Sequence, residues 1–320
     1  MMIPIDDTGR TFRTLRVSLI NTCNLGCIYC TCGTEDLQQN SVKSKSAALS
    51  VHQLSAIIKK LHHNLDLSTI RFTGGEPLLY KGLSQITANV RAMGISSIKL
   101  TTNGILLDRM IADLKAAGIS SVNVSIDAID EEIFFRMGRR SGVAKVLAGI
   151  DKAISLGLEV KLNAVIMKGM NENQVIPLLE YAFQRNIKIR FLEIMAMGYL
   201  HGQADKHFFS QQDILSLIRE RYTFEREERL SASTSNYWKT PEGHVFGVIA
   251  NESEPFCADC NRLRLDSFGN IYGCLSSNNP VSLLGVENEN EVYNKLVTAL
   301  KQKQATRFTG SALSMLHIGG

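Results

Sequence analysis

The fold of this chain is decided by a stretch near its amino terminus, residues 16–30, which reads RVSLINTCNLGCIYC. Its first half has the apolar pattern of a β-strand, and three cysteines follow directly. Further strand patterns recur along the chain, separated by amphipathic helix patterns that stop at glycines. This alternation indicates parallel strands joined by right-handed crossovers.

Six strands are predicted, with helices between them. The strands are Leu15–Ile20, Ile70–Thr73, Ser97–Thr101, Val122–Ile126, Val160–Val165 and Ile187–Leu192. The helices are Val51–His63, Leu83–Met93, Arg109–Ala117, Val143–Leu156 and Gln174–Arg185. Six strand–helix units are too few for the eight of a closed barrel, which leaves a partial (β/α)6 barrel or an open doubly wound sheet.

Each predicted strand is polar on one face and apolar on the other, because successive side chains alternate. Arg16, Arg71, Lys161 and Arg190 all fall on the polar face. A polar face opposite a helix-covered face predicts a wet cavity, so we favour an α/β fold built as a partial (β/α)6 TIM-like barrel. An antiparallel sheet with one solvated face is the alternative, which the helical segments disfavour.

Composition limits the function classes. The 320 residues are 44% hydrophobic, which excludes a disordered protein. The net charge of +4 predicts no nucleic-acid partner but allows a local anion site. No apolar run approaches the roughly 18 residues of a membrane span, and the amino terminus has no signal-peptide pattern. We expect a cytoplasmic protein without a membrane partner.

Seven cysteines form two groups, as expected of metal sites in a reducing compartment. In the first group Cys23, Cys27 and Cys30 have C-x3-C-x2-C spacing directly after the first strand. Three thiolates can hold three irons of a [4Fe–4S] cluster and leave the fourth iron open for a ligand. A zinc site completed by Cys32 is the alternative.

The second group predicts another open cluster, which would bind substrate. It consists of Cys257, Cys260 and Cys274. A zinc site completed by His244 is the alternative. Arg262 and Arg264 are two residues apart, so both point the same way on an extended segment and could bind a purine edge or phosphates. An exposed, salt-bridged strand is the alternative for this pair.

The sequence pattern changes near residue 230. We predict a barrel domain of residues 1–230 and a C-terminal domain of residues 231–320 that carries the auxiliary iron–sulfur cluster and binds substrate. Turns in the second part suggest antiparallel strands, followed by a helix over Glu289–Gln304. The tail ends in Gly319-Gly320, which lack side chains and can enter a cavity closed to larger residues.

The first cysteine group, with Tyr29, resembles the signature of radical S-adenosylmethionine enzymes. Residues 73–77, Thr-Gly-Gly-Glu-Pro, resemble the GGEP turn of that superfamily. The resemblance implies that the open iron chelates the methionine moiety and that electron transfer yields a 5′-deoxyadenosyl radical. The physics of the turn agrees, since glycines permit close backbone approach to a ligand and Glu76 offers a carboxylate to an ammonium.

A closer resemblance covers nearly the whole chain and points to the GTP 3′,8-cyclase family, lyases that begin molybdenum cofactor biosynthesis. It is carried by LRVSLINTCN, IRFTGGEPLL, VNVSIDAID, FCADCNRLRL and the terminal IGG. The implied reaction converts GTP to (8S)-3′,8-cyclo-7,8-dihydroguanosine 5′-triphosphate. It implies two [4Fe–4S] clusters, S-adenosylmethionine, and an electron donor of flavodoxin or ferredoxin type; a homodimer is left open.

The resemblance also assigns residues. The clusters belong to the two cysteine triplets, and S-adenosylmethionine would contact Tyr29, Gly75, Ser125 and Met195. GTP would contact Arg16, Arg71, Thr102, Lys161, Arg190, Arg262, Leu263 and Arg264. Catalytic roles fall to Arg16, Arg262, Arg264, Gly319 and Gly320. For each strand cation an internal ion pair with Glu159, Glu193 or Asp127 is the alternative, although burying several unpaired cations favours an anionic ligand.

Four stretches depart from the family pattern. They are Thr31-Cys32-Gly33 after the third cysteine, Thr69 in place of a basic residue, Asn21-Thr22 in place of an acid–arginine pair, and Tyr80 in place of an arginine. The alternatives are therefore a radical enzyme of the same build acting on another nucleotide or a peptide, and a non-enzymatic iron–sulfur or zinc scaffold.

Overall fold

The computed structural model describes residues 3–30, 48–202 and 204–319. All six predicted strands are present, each within two residues of its predicted bounds. They are β1 (Thr14–Ser18), β2 (Thr69–Thr73), β3 (Ser97–Thr102), β4 (Ser121–Ser125), β5 (Glu159–Ile166) and β6 (Lys188–Glu193). Neighbouring strands pair in parallel in this order, as the alternation of strands and helices predicted.

The predicted helices cover the outer face. They are α1 (Val51–Leu65), α2 (Leu83–Ala92), α3 (Leu107–Ala117), α5 (Val143–Ser155) and α6 (Val175–Gln184). Two further helices, α4 (Glu131–Gly138) and α7 (Gln211–Arg219), were not predicted. Their start signals were in the sequence, since Asp130 caps α4 and Ser210 forms a capping box with Asp213 on α7. No described helix has the length and apolar character needed to cross a membrane.

The C-terminal part extends both edges of the barrel sheet. Its strands are β7 (Glu225–Arg226), β8 (Asn236–Lys239), β9 (Val245–Ile249), β10 (Arg262–Leu265), β11 (Asn270–Tyr272) and β12 (Val281–Ser282). The expected antiparallel pairing is found for β7, β8, β11 and β12, but β9 pairs in parallel with β6 and β10 in parallel with β1. Pairing of this kind covers two strand edges that would otherwise be open. A boundary near residue 230 falls between β7 and β8 within one sheet.

The core lies between the sheet and the helices. The apolar face of every barrel strand is fully buried there, as Ile70 and Phe72 on β2 and Ile98 and Leu100 on β3 illustrate. The opposite face, with the polar positions, is turned to the cavity. Helix α8 (Glu289–Leu300) packs against α1, and the short helix α9 (Met315–Ile318) ends the described chain.

Candidate active site

The two cysteine triplets lie at opposite ends of the barrel. Cys23, Cys27 and Cys30 follow the carboxyl end of β1, whereas Cys260 precedes the amino end of β10. Because β1 and β10 run parallel, with Thr14 opposite Arg262, the two groups are separated by the length of a strand. Five residues of β-strand span about 13 Å. The barrel interior therefore has one thiol site at each mouth.

A cavity of about 210 Å³ lies at the carboxyl end. Its lining contains the first cysteine triplet and all four residues assigned to S-adenosylmethionine, namely Cys23, Cys27, Cys30, Tyr29, Gly75, Ser125 and Met195. Burial raises the pKa of the Cys23 thiol to about 11 and that of Cys30 to about 12, with Cys23 adding to the effect at Cys30. These thiols need a cationic partner in order to ionise at neutral pH.

The glycines of the GGEP turn serve packing within the chain. The amide of Gly75 donates to the carbonyl of Ile20 (2.6 Å), and the amide of Glu76 donates to that of Thr22 (2.9 Å). A Cβ atom at Gly75 would lie 2.2 Å from the Thr22 carbonyl oxygen. The close approach expected for a ligand is thus made to the loop that carries Cys23, which fixes the turn beside the thiols.

Glu76 is only 1% exposed and already holds three hydrogen bonds. Its Oε1 accepts from the Thr102 hydroxyl (2.6 Å) and the Leu78 amide (3.0 Å), and its Oε2 accepts from the Asn103 amide (2.8 Å). Burial raises the pKa of Glu76 to about 7 against the effect of these bonds. Thr102, assigned to GTP, therefore has its hydroxyl committed to Glu76 at the cofactor end of the barrel.

Asp127 is a second buried carboxylate at this end. It was not among the residues predicted to bind the cofactor. It accepts from the Tyr29 hydroxyl (2.8 Å) and from the Val165 amide (2.9 Å). Burial raises its pKa to about 6. Its position on the polar face after β4 was the signal that could have identified it.

Five arginines assigned to GTP converge deeper in the barrel. They are Arg16, Arg71, Arg190, Arg262 and Arg264. Burial, followed by repulsion from Arg264, Arg262 and Arg71, lowers the pKa of Arg16 well below its usual value. Burial likewise lowers the pKa of Arg71 and of Arg264 to about 10. Within the described ranges no salt bridge joins any of the five to a carboxylate.

Asn123 on β4 links two of these arginines. With its amide oxygen turned toward them, it accepts from Arg190 Nη2 (2.6 Å) and Arg71 Nη1 (3.0 Å). Arg190 Nε is buried with no hydrogen-bond partner in the described part of the chain. An uncompensated buried guanidinium is costly, so the cluster is suited to a multiply charged anion.

Two of the residues assigned to GTP have surroundings unlike those of the arginines. Lys161 forms an ion pair with Glu159 (2.6 Å), the alternative left open for each strand cation. Leu263 has a fully buried side chain in the core beneath the helices, on the face opposite Arg262 and Arg264. Since side chains alternate along a strand, Leu263 has only its backbone on the cavity side, so its assigned contact with GTP would be a backbone contact.

The second cysteine triplet is surrounded by cations. Burial raises the pKa of Cys257 to about 11, but at Cys260 the effect of burial is outweighed by Arg262 and Lys303, which hold its pKa at about 6. Lys303 Nζ lies 3.4 Å from Cys260 Sγ and donates to the Arg262 carbonyl (2.7 Å). Sequence reasoning missed Lys303, because nothing near it in the sequence marks a site.

Arg10 supports the same triplet from the amino-terminal segment. Its Nη1 donates to the carbonyl of Cys257 (2.6 Å), and its guanidinium is held by Asp6 (2.6 Å). Among the described residues no three His, Cys, Asp or Glu side chains are grouped closely enough to hold a single metal ion.

The C-terminal tail enters the barrel between the two ends. The Arg264 guanidinium donates to the Gly319 carbonyl. Gly319 has φ +74°, and a Cβ atom there would lie 2.2 Å from Thr73 Oγ1 and 3.1 Å from Ser18 Cβ. Only glycine fits this position without displacing its neighbours. Gly320 lies outside the described residues.

The structure describes the surroundings of two of the departures from the family pattern, Tyr80 and Thr69. Tyr80 donates its hydroxyl to the Leu49 carbonyl (3.0 Å), which ties the turn after β2 to the segment before α1. Thr69 opens β2 on the cavity face, opposite Ser97. Thr31-Cys32-Gly33 lies outside the described residues.

Comparisons with known proteins identify the family of the chain. Residues 17–182 match the radical SAM superfamily and residues 187–311 match Molybdenum Cofactor Synthesis C. A GTP 3′,8-cyclase of Synechocystis sp. is 34% identical over 99% of this chain and 94% of its own length. Another from Staphylococcus carnosus is 37% identical over 85% of this chain and 81% of its own.

A solved structure, Streptococcus suis SuiB bound to S-adenosylmethionine, shares the fold. It has a TM-score of 0.65 and 14% identity, with 91% of this chain and 68% of SuiB covered. The fold is thus a radical SAM partial barrel, as predicted. Together, the two matched families and the curated relatives show that the chain belongs to the GTP 3′,8-cyclase family of radical S-adenosylmethionine proteins.

Proposed function

We propose that this protein is a GTP 3′,8-cyclase that catalyses the first step of molybdenum cofactor biosynthesis, converting GTP to (8S)-3′,8-cyclo-7,8-dihydroguanosine 5′-triphosphate. One observation carries the proposal: a cluster of five buried or half-buried arginines, which form no salt bridge with a carboxylate in the described chain, lies between two sites of three thiols each. A polyanionic substrate would neutralise the arginines, and each thiol triplet leaves one iron of a four-iron cluster open to a ligand.

The donor sets fit two [4Fe–4S] clusters. Cys23, Cys27 and Cys30 would hold the first, beside the cavity whose lining includes Tyr29 and Gly75. When bound there, the cluster and S-adenosylmethionine supply a 5′-deoxyadenosyl radical. Glu76 and Asp127 both line this cavity, and two carboxylates there favour a ligand that carries positive charge.

The second set would be Cys257, Cys260 and Cys274, on the far side of the arginines. Arg264 and the backbone of Gly319 meet between the two sites, where the ribose of a bound GTP would lie. Loss of the ribose 3′ hydrogen and formation of the C3′–C8 bond leave an unpaired electron on the base. One electron and one proton complete the product, which is therefore an isomer of GTP.

The experiment is anaerobic turnover of reconstituted protein with S-adenosylmethionine, dithionite and [3′-²H]GTP. We expect deuterium in the 5′-deoxyadenosine and a chromatographically distinct isomer of GTP. ATP in a parallel reaction is the matched control. Unlabelled 5′-deoxyadenosine with unchanged GTP would contradict the proposal, and turnover of ATP alone would favour the alternative of another nucleotide substrate.

Several finer features remain part of the proposal. Each turnover needs two electrons, one for reductive cleavage of the sulfonium and one for reduction of the base radical, and both would come from a donor of flavodoxin or ferredoxin type. A cytoplasmic location, a homodimer and a division into residues 1–230 and 231–320 stay predictions. Limited proteolysis near residue 230 and light scattering would test the last two.

A further inference from the structure

One cation inside the barrel has no role among the residues assigned so far. Lys99 lies on β3, where Ser97, Lys99 and Thr101 share one face. Ile98 and Leu100, on the other face, are fully buried beneath the helices. Thr101 lines the cavity and accepts from Arg71 Nη1 (3.3 Å). Because side chains alternate along a strand, Lys99 faces the interior of the barrel with Thr101.

Lys99 is surrounded by other cations. It lies directly opposite Arg71 in the parallel pairing of β2 with β3. Partial burial, then Arg71, lowers its pKa, with further repulsion from Lys161 and Arg190. Only Glu159 acts on it in the opposite direction. No salt bridge or hydrogen bond is formed by the Lys99 ammonium within the described ranges.

The charges on this wall do not balance. Arg71, Lys99, Lys161 and Arg190 are four cations, and Glu159 is the carboxylate that acts on them. Glu159 is bonded to Lys161 at 2.6 Å and its side chain is 54% exposed. Thr69 lies on the neighbouring strand β2, opposite Ser97, and is two residues closer to the amino end than Arg71. It contributes no charge. The wall therefore carries three uncompensated positive charges, which a single phosphate would not neutralise.

We propose that Lys99 binds the triphosphate tail of the substrate and so helps the enzyme to distinguish a nucleoside triphosphate from a nucleoside monophosphate. This inference rests on the proposed function. Lys99 on β3 would take the place of the basic residue that the family pattern has on β2, where this chain has Thr69. The tail would lie against β2–β6, leaving the ribose near Arg264 and Gly319. An ammonium without a partner can approach the tail with little cost in broken contacts.

The test compares wild type with Lys99→Met in the reconstituted enzyme. Dissociation constants for GTP, GDP, GMP and guanosine are measured by anaerobic calorimetry. We expect GTP affinity to fall roughly tenfold or more, as for loss of one charge-assisted contact, GDP affinity to fall less, and GMP and guanosine affinities to stay within twofold. In steady-state cyclisation the KM for GTP should rise while kcat changes little.

Two further variants decide between charge and structure. Lys145→Met removes an exposed lysine from the outer helix α5 and should change no affinity. The double variant Thr69→Lys/Lys99→Thr moves the ammonium one strand along the same wall, and we expect it to recover most of the GTP affinity that Lys99→Thr loses. A double variant as weak as Lys99→Thr would overturn a role through charge.

Equal loss for all four ligands, or no loss for GTP, would overturn the inference. Failure of the proposed function is distinguishable, because wild type would then neither bind GTP nor cyclise it. That result would overturn both conclusions. A wild type that cyclises GTP, with Lys99→Met matching it for every ligand, would overturn the role of Lys99 alone.

Discussion

Each end of the barrel carries three cysteines, but the charged groups around them differ in sign. At the carboxyl end Cys23 and Cys30 have pKa values raised to about 11 and 12, and the buried carboxylates Glu76 and Asp127 line the same cavity. At the amino end the pKa of Cys260 is held at about 6 by Arg262 and Lys303, which outweigh burial. The first end suits a cationic ligand and the second an anionic one, so the surrounding charges, not the thiols, distinguish the two sites.

The largest effect should come from removing one thiol at each end. Cys27→Ser should abolish reductive cleavage of S-adenosylmethionine, whereas Cys260→Ser should spare uncoupled cleavage and lose cyclisation. Wild type should hold about eight irons and each variant about four. Iron assay and chromatography of 5′-deoxyadenosine provide the measurements. Equal loss of cleavage in both variants, or stoichiometric zinc without iron, would contradict this division of roles between the two ends.

The tail between the two ends should give the next largest effect. Deleting Gly319 and Gly320 should leave iron content and cleavage of S-adenosylmethionine nearly intact while product formation falls steeply. Gly319→Ala should act in the same direction, because its Cβ would lie 2.2 Å from Thr73 Oγ1 at a φ of +74°. Rates of 5′-deoxyadenosine and product formation are compared. Full-rate cyclisation by the truncated protein would leave the tail without a role.

The arginine cluster should give a graded response. Arg71→Ala and Arg190→Ala should each weaken GTP binding by roughly 10- to 100-fold, since each removes a charge-assisted contact of about 1.5–3 kcal/mol. Lys161→Ala should cost less, because Lys161 is already paired with Glu159. Calorimetric titration with GTP measures the affinity of each variant and so ranks the three losses. Unchanged affinity in all three would mean that these cations serve only the fold.

The smallest effect is expected from weakening the ion pair between Asp6 and Arg10, which lies beside the second cysteine triplet. Asp6→Asn weakens the hold on Arg10 and should lower stability by about 1 kcal/mol. Burial acts against ionisation of Asp6, but its bonds to Arg10 and Thr8 hold its pKa below the usual value. Its contribution is therefore present above about pH 4 and is lost as the pH falls through the folded pKa. The difference in Tm between wild type and Asp6→Asn should shrink as the pH is lowered below about 4; a constant difference would contradict this.

Local patterns were sufficient for the barrel and for the first site. Strand alternation placed Arg16, Arg71 and Arg190 on one face, and the structure brings them together. The parallel pairing of β10 with β1 could not be predicted, because it joins Thr14 to Arg262 through contacts that no local pattern encodes.

Lys303 and Arg10 were missed for a related reason. Each reaches the second triplet from a distant part of the chain, and Arg10 and Cys257 are separated by 247 residues. The fully buried side chain of Leu263 follows from alternation along β10, and its assigned contact with GTP stays a prediction, one that its backbone would have to make.

The pairing of β1 with β10 and of β6 with β9 has a consequence for how the chain folds. The outer edges of β1 and β6 pair only with strands from the last quarter of the chain, so neither edge has its partner until that part has been synthesised. Late, long-range strand pairing slows folding and leaves intermediates whose unpaired strand edges are prone to aggregation. Fragments that stop after β6 should therefore aggregate, and slower expression at low temperature should raise the yield of the whole chain.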